Sequence, residues 1–360
     1  LAEIVSIGTA VPKYCHRQSD ILHFMQEVYQ LSDPDKRKLR FLYEHSSIDT
    51  RHSVLEDFNL PADARTFLPA TNSQSFPSLE QRMAIYNREA VKVSEEAIKD
   101  CIAGWISPSD ITHLITVSCT GMSAPGLDLQ LMRTMEMPTD IFRTSVNFMG
   151  CYAAIHALKL AKMICDGAPD AKVVIVATEL CTLHFQETFT EDNAASSLLF
   201  ADGAAAVLVS GKHSGNGLKL QGFYSQVAQK GEADMAWELS SKGFLMTLSG
   251  YIPQLISEDI SQLVASAVSA NNIQQEDITH WCVHPGGKRI LDLIQQQLKL
   301  AAGTLDDSRA VLSRYGNMSS PTILFVLKEI LHKLKDQPAN IMGMAFGPGL
   351  TMETFIATRS

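Results

Sequence analysis

Residues 144–154 read Thr-Ser-Val-Asn-Phe-Met-Gly-Cys-Tyr-Ala-Ala, with Cys151 at the hinge between an extended segment and a helix. Upstream, Asp140 to Val146 reads as extended. Downstream, Ala153 to Ile164 places Ala154, Leu158 and Ala161 on one helical face. Gly150 permits a sharp turn between the two, which leaves Cys151 at the helix start. Unpaired N–H groups and the positive end of the helix dipole favour a thiolate there. A nucleophile on a strand-to-helix turn is one reading. A small packed thiol is the other, since free Cys is among the most buried residue types.

Around this hinge the signals alternate. Ile4 to Gly8 reads as a strand that leaves through Thr-Ala-Val-Pro into a surface segment. Ser32-Asp-Pro-Asp-Lys supplies an N-cap and an early Pro for a helix to about Glu44. Residues 58–78, rich in Pro, Ser, Thr and Asn, predict a loop, and Ser78 to Ile102 predicts a long helix. A strand from His113 to Cys119, the turn Thr120-Gly-Met-Ser-Ala-Pro-Gly and a helix from Leu127 to Met135 lead up to the hinge. Beyond it come a strand, Lys172 to Thr178, and a polar loop, Thr182 to Asn193. Ser196 to Phe200 then runs through a tight turn at Asp202-Gly203 into the strand Ala204 to Ser210.

The second half repeats the scheme. The strand His280 to Val283 ends at His284, before Pro-Gly-Gly and a helix, Lys288 to Leu298. Tyr315-Gly-Asn-Met-Ser-Ser-Pro places Asn317 before a helix, Thr322 to Leu334. The strand Asn340 to Phe346 then enters Gly-Pro-Gly, and Met352 to Thr358 closes the pattern. Cys119 corresponds to His284, Cys151 to Asn317 and Lys172 to Asn340, at offsets of 165, 166 and 168 residues. Offsets this constant argue for a structural duplication with halves at 1–215 and 216–360. Halves packed about a pseudo-twofold axis would bring Cys151, His284 and Asn317 to a shared centre, across 133 residues between the first two.

Composition bounds the function. At 360 residues, 46% hydrophobic and 19% charged, the chain is an ordered α/β protein of two domains or two halves. A net charge of −9 and a pI near 5.7 argue against nucleic acid as a main partner. Lys36, Arg37, Lys38 and Arg40, with Arg51 and His52, form the densest basic cluster, either a solvated face or a landing site for an anion. The seven scattered cysteines contain no C-x-x-C pair, which fits a reducing, cytoplasmic setting. No apolar run approaches the ~18–20 residues of a membrane span. The absence of a P-loop, a G-x-G-x-x-G junction and metal-ligand spacing predicts neither metal nor redox cofactor.

Together, Cys, His and Asn suit acyl transfer. A thiolate accepts an acyl group as a thioester, and imidazole and amide N–H groups can stabilise an oxyanion or a thioester enolate. The same residue types serve papain-like hydrolysis, where Asn orients the imidazole instead. Sequence leaves both open. By default His284 could be a packed side chain, Gly316-Asn317 an ordinary turn, and Cys119, Cys165, Cys181, Cys282, Phe200 and Met246 core residues.

Asn-Phe-Met-Gly-Cys151-Tyr-Ala-Ala, Val-His284-Pro-Gly-Gly, Gly-Asn317-Met-Ser-Ser-Pro and Phe-Gly-Pro-Gly-Leu-Thr, in this order, resemble the type III polyketide synthases. These form the chalcone-synthase-like branch of the thiolase superfamily, and the likeness spans nearly the whole chain. The resemblance implies a thiolase-like, five-layered αβαβα fold of two pseudo-symmetric halves, a homodimer, and acyl-CoA and malonyl-CoA as substrates without a cofactor. It makes Cys151 the acyl carrier, with His284 and Asn317 stabilising the malonyl-derived enolate. Phe200 matches the aromatic gatekeeper. The second gatekeeper falls at Met246, a departure that implies a roomier entrance. Lys38 and Arg40 approximate the basic contacts to coenzyme A, and Gly347-Pro348-Gly349 matches the structural loop beside the cavity.

Cys119, Thr120, Ala124, Cys181, His184 and Ser319 fall at cavity or side-tunnel positions. Bacterial relatives that make alkylpyrones or alkylresorcinols from long-chain starters look similar at Cys119-Thr-Gly, Ala124-Pro-Gly-Leu-Asp and Cys181. The rivals are an initiating ketoacyl synthase fed by a carrier protein, a cysteine hydrolase, and a non-catalytic scaffold of this fold.

Overall fold

The computed structural model describes residues 2–71, 74–212, 217–335 and 337–359. The first half runs β1 (Glu3–Ala10), β2 (Tyr14–Arg17), α1 (Gln18–Val28), α2 (Asp33–Glu44), β3 (Thr50–Ser53), α3 (Leu79–Ile102), β4 (His113–Ser118), α4 (Leu127–Thr134), β5 (Phe142–Asn147), α5 (Ala153–Gly167), β6 (Lys172–Leu180), α6 (Glu191–Leu199) and β7 (Asp202–Ser210). The second runs β8 (Leu218–Val227), β9 (Met235–Ser240), β10 (Gly243–Leu248), α7 (Ile252–Ala270), β11 (His280–Val283), α8 (Lys288–Gln297), α9 (Asp306–Tyr315), α10 (Thr322–Leu334), β12 (Ala339–Gly347) and β13 (Thr351–Arg359).

Local chemistry accounts for the element ends. Ser78 and Gln81 form a capping box at the start of α3, with Ser78 N–H donating to Gln81 Oε1 at 2.8 Å. The expected tight turn at Asp202-Gly203 is instead the start of β7, and two longer segments also differ from the sequence reading. The surface segment after β1 contains α1, whose Ile21, Phe24, Met25 and Val28 are buried at helical spacing. The polar stretch Thr182 to Asn193 is not loop throughout. A 3₁₀ turn spans Cys181–His184, and Thr190 caps α6 by accepting Asn193 N–H at 3.1 Å. The expected boundary between residues 215 and 216 lies outside the described residues.

Strand pairing carries the duplication. The main sheet has nine strands in the order β11-β12-β13-β8-β1-β7-β6-β4-β5. Within the first half, β1–β7 and β7–β6 are antiparallel and β6–β4 is parallel. Within the second, β8–β13 and β13–β12 are antiparallel and β12–β11 is parallel. The halves meet where β1 pairs with β8, at Glu3↔Lys219 and Ile4↔Leu218. β5 adds a further parallel strand beside β4 at the sheet edge.

Period-two alternation then builds the layers. Leu114, Val174, Val176, Ala204 and Ala206 face α1, α3 and α4 on the outside of the first half. Their neighbours Ile115, Val117, Val173, Ile175 and Val207 turn inward, onto α5 and α10. Ile341, Ala345, Phe355 and Ala357 cover the same two helices from the second half, and Met342, Met344, Phe346 and Ile356 face outward to α7 and α8. Hence α5 and α10 form a central layer between the half-sheets, and the order is helix, sheet, helix, sheet, helix.

Close packing makes glycine obligatory at the β1–α3 contact, where a Cβ on Gly8 would lie 2.2 Å from Ala97 O and Cys101 N. Gly8→Ala should lower stability by about 2 kcal/mol, the usual scale of overpacking. Gly167→Ala meets nothing within 4 Å at the end of α5 and should leave stability unchanged or raise it. Thermal melts of the two variants side by side check the contrast.

Candidate active site

Four chain segments converge on one cavity of about 1240 Å³, mouth included. β4 leads into Cys119 and Thr120, the turn before α5 delivers Cys151, β11 leads into His284, and the turn before α10 delivers Asn317. Cys151 sits on a 3₁₀ turn, Gly150–Tyr152, that leads directly into α5. Gly150 has φ +79°, and a Cβ there would lie 2.1 Å from Pro348 Cδ. A Cβ on Gly347 would in turn sit 2.6 Å from the Tyr152 ring. The Gly347-Pro348-Gly349 loop is thus packed against the nucleophile turn, and of its residues Pro348 lines the cavity.

Cys151 Sγ lies 3.5 Å from Ser319 Oγ. Burial pushes its thiol up to about 11, against the lowering influence of Ser319 and Asn317, and the buried Glu179 carboxylate adds to the rise. Desolvation here works against the thiolate that the helix start favours. Burial also lowers His284 to about 3, so the imidazole rests neutral, and neither ring nitrogen has a hydrogen-bond partner. The Asn317 amide is held by its oxygen, which accepts Ser319 N–H at 2.8 Å. Its Nδ2 makes only a long contact, 3.4 Å, to Gly286 O. An imidazole and an amide N–H₂ therefore face the cavity with donors to spare.

Glu179, which the sequence did not single out, braces the floor. It is fully buried and accepts from Cys119 N (2.9 Å), Thr120 Oγ1 (2.7 Å) and Ser320 Oγ (2.9 Å), so it ties β4 to the turn that carries Asn317. Burial raises its carboxyl to about 7. Cys119 Sγ accepts Gly150 N–H at 3.0 Å, which gives that thiol a structural task beneath the nucleophile turn.

The cavity wall opposite is the β9–β10 hairpin, which contributes Met235, Trp237, Phe244, Met246 and Leu248. Their spacing of two was the available signal for a one-faced hairpin. Trp237 Nε1–H donates to Cys119 O at 2.6 Å. His184 Nε2–H donates to Thr120 O at 2.7 Å, and its Nδ1 accepts Phe244 N–H at 3.1 Å. The imidazole stacks on Phe244 with centroids 4.3 Å apart, and burial lowers it to about 3. Arg82, itself buried, holds the His184 loop by donating to Leu183 O and Phe185 O.

Of the residues expected at the site, Cys151, His284, Asn317, Phe200, Met246, Cys119, Thr120, Cys181, His184, Ser319 and Pro348 line this one cavity. Ala124 does not; it is exposed in the turn before α4. Lys38 and Arg40 are exposed on α2, away from the lining, and Lys38 Nζ is 2.5 Å from Glu191 Oε1 on α6. The basic cluster also divides: Arg51 is buried and belongs to the cavity wall. Among the described residues, no cluster of His, Cys, Asp or Glu is arranged to hold a metal, and no helix is long and apolar enough to cross a membrane.

The N-terminal domain of chalcone and stilbene synthases matches residues 1–213, and the C-terminal domain of the same family matches residues 220–360. The chain belongs to this family, the type III polyketide synthases. Similar relatives include type III polyketide synthase C of Arabidopsis thaliana, 29% identical over 99% of this chain and 94% of its own length. A putative chalcone synthase of Bacillus subtilis is 28% identical over 99% and 98%. Among solved structures, PKS-I from the brown alga Ectocarpus siliculosus superposes with TM-score 0.91 at 27% identity, covering 100% of this chain and 98% of that one. The C-terminal type III domain of Steely1, a type I/III hybrid from Dictyostelium, gives 0.90 at 26% identity over 99% of both. This type III polyketide synthase accordingly has the thiolase-like α/β fold and is an acyltransferase of decarboxylative malonyl-CoA condensation.

Two outcomes follow from the geometry. Gly150→Ala must clash with Pro348 and leave an unfavourable φ, so polyketide formation should fall about 100-fold, the scale expected when a reacting group is displaced by an ångström; product mass spectrometry reads this. His184 refuses a proton that the unfolded imidazole takes up below about pH 6.5, so its stabilising share is complete above that value and is lost as pH falls toward 3. The cost reaches about 2 kcal/mol at pH 5. The drop in melting temperature from pH 7.5 to pH 5 should therefore be smaller in His184→Gln than in the wild type.

Proposed function

We propose that this type III polyketide synthase loads a medium- or long-chain fatty acyl-CoA on Cys151 and extends it two or three times with malonyl-CoA, before closure to a pyrone or resorcinol-type ring. Cys151 sulfur attacks the starter carbonyl, the carbon–sulfur bond to coenzyme A breaks, and the leaving thiolate takes the thiol proton. Malonyl-CoA then loses carbon dioxide, and the bonding pair left behind forms the enolate, whose oxygen accepts hydrogen bonds from His284 and Asn317. The enolate carbon attacks the Cys151 thioester, and the sulfur departs as thiolate.

The observation that carries this reading is the Asn317 amide. Its oxygen is already occupied by Ser319 N–H at 2.8 Å, and His284 has no partner on either nitrogen. A hydrolase of the papain kind needs the Asn oxygen on the imidazole. Here the amide offers N–H instead, which suits an oxyanion or enolate. The apolar lining, with Ile21, Phe58, Phe185, Phe244, Leu248 and Ile290, supports an aliphatic starter. Phe200 and Met246 would flank the entering thioester, and Lys38 and Arg40 would meet coenzyme A phosphates, displacing Glu191 from Lys38. None of these steps calls for a metal or redox cofactor.

The proposed assembly is a homodimer, in a cytoplasmic setting. Its support is β5, an unpaired sheet edge whose Phe142 is 70% exposed, with Met163 on α5 at 66%.

Turnover across starters from acetyl-CoA to palmitoyl-CoA, with free malonyl-CoA and product mass spectrometry, tests the reading. Longer aliphatic starters should give the highest kcat/KM with multiple extensions. Preference for acetyl or aromatic starters would overturn the starter, and strict dependence on a carrier protein with single condensation would favour a ketoacyl-synthase reaction. Cys151→Ala should make no polyketide while retaining slow decarboxylation. Asn317→Leu should lose decarboxylation by about 100- to 1000-fold, as expected for one oxyanion donor.

A further inference from the structure

Arg51 takes no part in the chemistry above, yet it is the only permanently charged side chain among the described residues lining the cavity. It stands on β3 and is 3% exposed. Its Nε–H donates to Gln18 Oε1 at 2.9 Å, and its Nη1–H donates to the Phe200 carbonyl at 2.6 Å. Gln18 is anchored in turn, since its own amide donates to Leu198 O at 2.9 Å. From the second half Gly316 closes onto the same side chain: it has φ +68°, and a Cβ there would lie 2.8 Å from Arg51 Cγ.

The acceptor carbonyl matters because of what adjoins it. Phe200 and Asn317 form an isolated parallel bridge, in which Asn317 N–H donates to Leu199 O and Ala201 N–H donates to Asn317 O, both at 2.9 Å. This bridge joins first-half and second-half backbone at the rim of the reaction chamber. We infer that Arg51 is a positioning residue that fixes the Phe200–Asn317 bridge and so aims the Asn317 amide at the developing enolate oxygen. The choice of residue supports this. Burying a guanidinium is costly, and an apolar side chain would fill the same volume. The planar fork, however, holds Nε–H on Gln18 and Nη1–H on Phe200 in fixed directions, where the donors of a lysine ammonium rotate freely. No hydrogen bond joins Arg51 to Cys151, so acyl loading and enolate formation should respond differently to its loss.

The inference rests on the enolate-stabilising role proposed for Asn317, and the experiment separates the two. Acyl-enzyme formation on Cys151 is followed by intact mass in a single turnover, and carbon dioxide release from malonyl-CoA is followed in the steady state. Wild type that loads but does not decarboxylate would refute the Asn317 role itself. Given an active wild type, Arg51→Met should load within about threefold of it, while kcat for decarboxylation falls about 30-fold or more with KM for malonyl-CoA changed less than threefold. Arg51→Lys should fall between. If loading and decarboxylation drop in parallel, Arg51 is only structural cement and the inference fails; it fails equally if both stay within twofold. Should Arg51→Met not fold, Arg51→Lys and Gln18→Leu carry the same comparison, the latter freeing Nε from its acceptor.

Discussion

Burial of the inner faces of α5 and α10 is the constraint from which the rest of the molecule follows. Both helices lie between the half-sheets, and Ile155, Leu158, Ile323, Leu324, Val326 and Leu327 are sealed from water. Each such side chain contributes about 1.5–3 kcal/mol by burial, so neither helix can slide without a large loss. The N-terminal ends of the two helices carry Cys151 and Asn317, and their lateral fit decides where sulfur and amide meet. A duplicated topology thus becomes a chemical site, because each half supplies one buried helix and one strand that ends at the same place.

The electrostatics follow from that enclosure. Burial disfavours the charged forms of Cys151 and His284, and it pushes Glu179 and Asp202 up, to about 7 and about 6. Among the described residues, the lining carries no carboxylate. A thioester enolate formed here would find hydrogen-bond donors fixed in advance by backbone contacts, with little water to reorganise around it. Ser319, at φ +60°, belongs to this preparation, since its N–H holds the Asn317 oxygen and its hydroxyl meets Cys151 Sγ.

Much of this was legible from residues alone. The offsets linking Cys119 to His284 and Cys151 to Asn317 describe a duplication that strand pairing reproduces direction by direction. The hinge at Gly150 was readable as a turn, but its deeper cause, contact with Pro348, lies 198 residues away and could not be. Burial was the main source of error. Arg51 looked like one more cation in a basic stretch, whereas β3 turns it inward. Glu179 within an apolar strand gave no local sign of its hydrogen bonds, which come from two distant segments, the end of β4 and the turn before α10.

The β9–β10 hairpin belongs to no other sheet, yet it forms one side of the chamber and is fastened by polar links from Trp237 to Cys119 and from Phe244 to His184. Capacity and reactivity are therefore encoded in different parts of the chain. Descendants of this enzyme could exchange bulk at Trp237, Phe244 or Met246 and acquire new products while the bond-making trio stays untouched. Such modularity lets one ancestral scaffold diversify its output by small steps, each of which leaves a working catalyst.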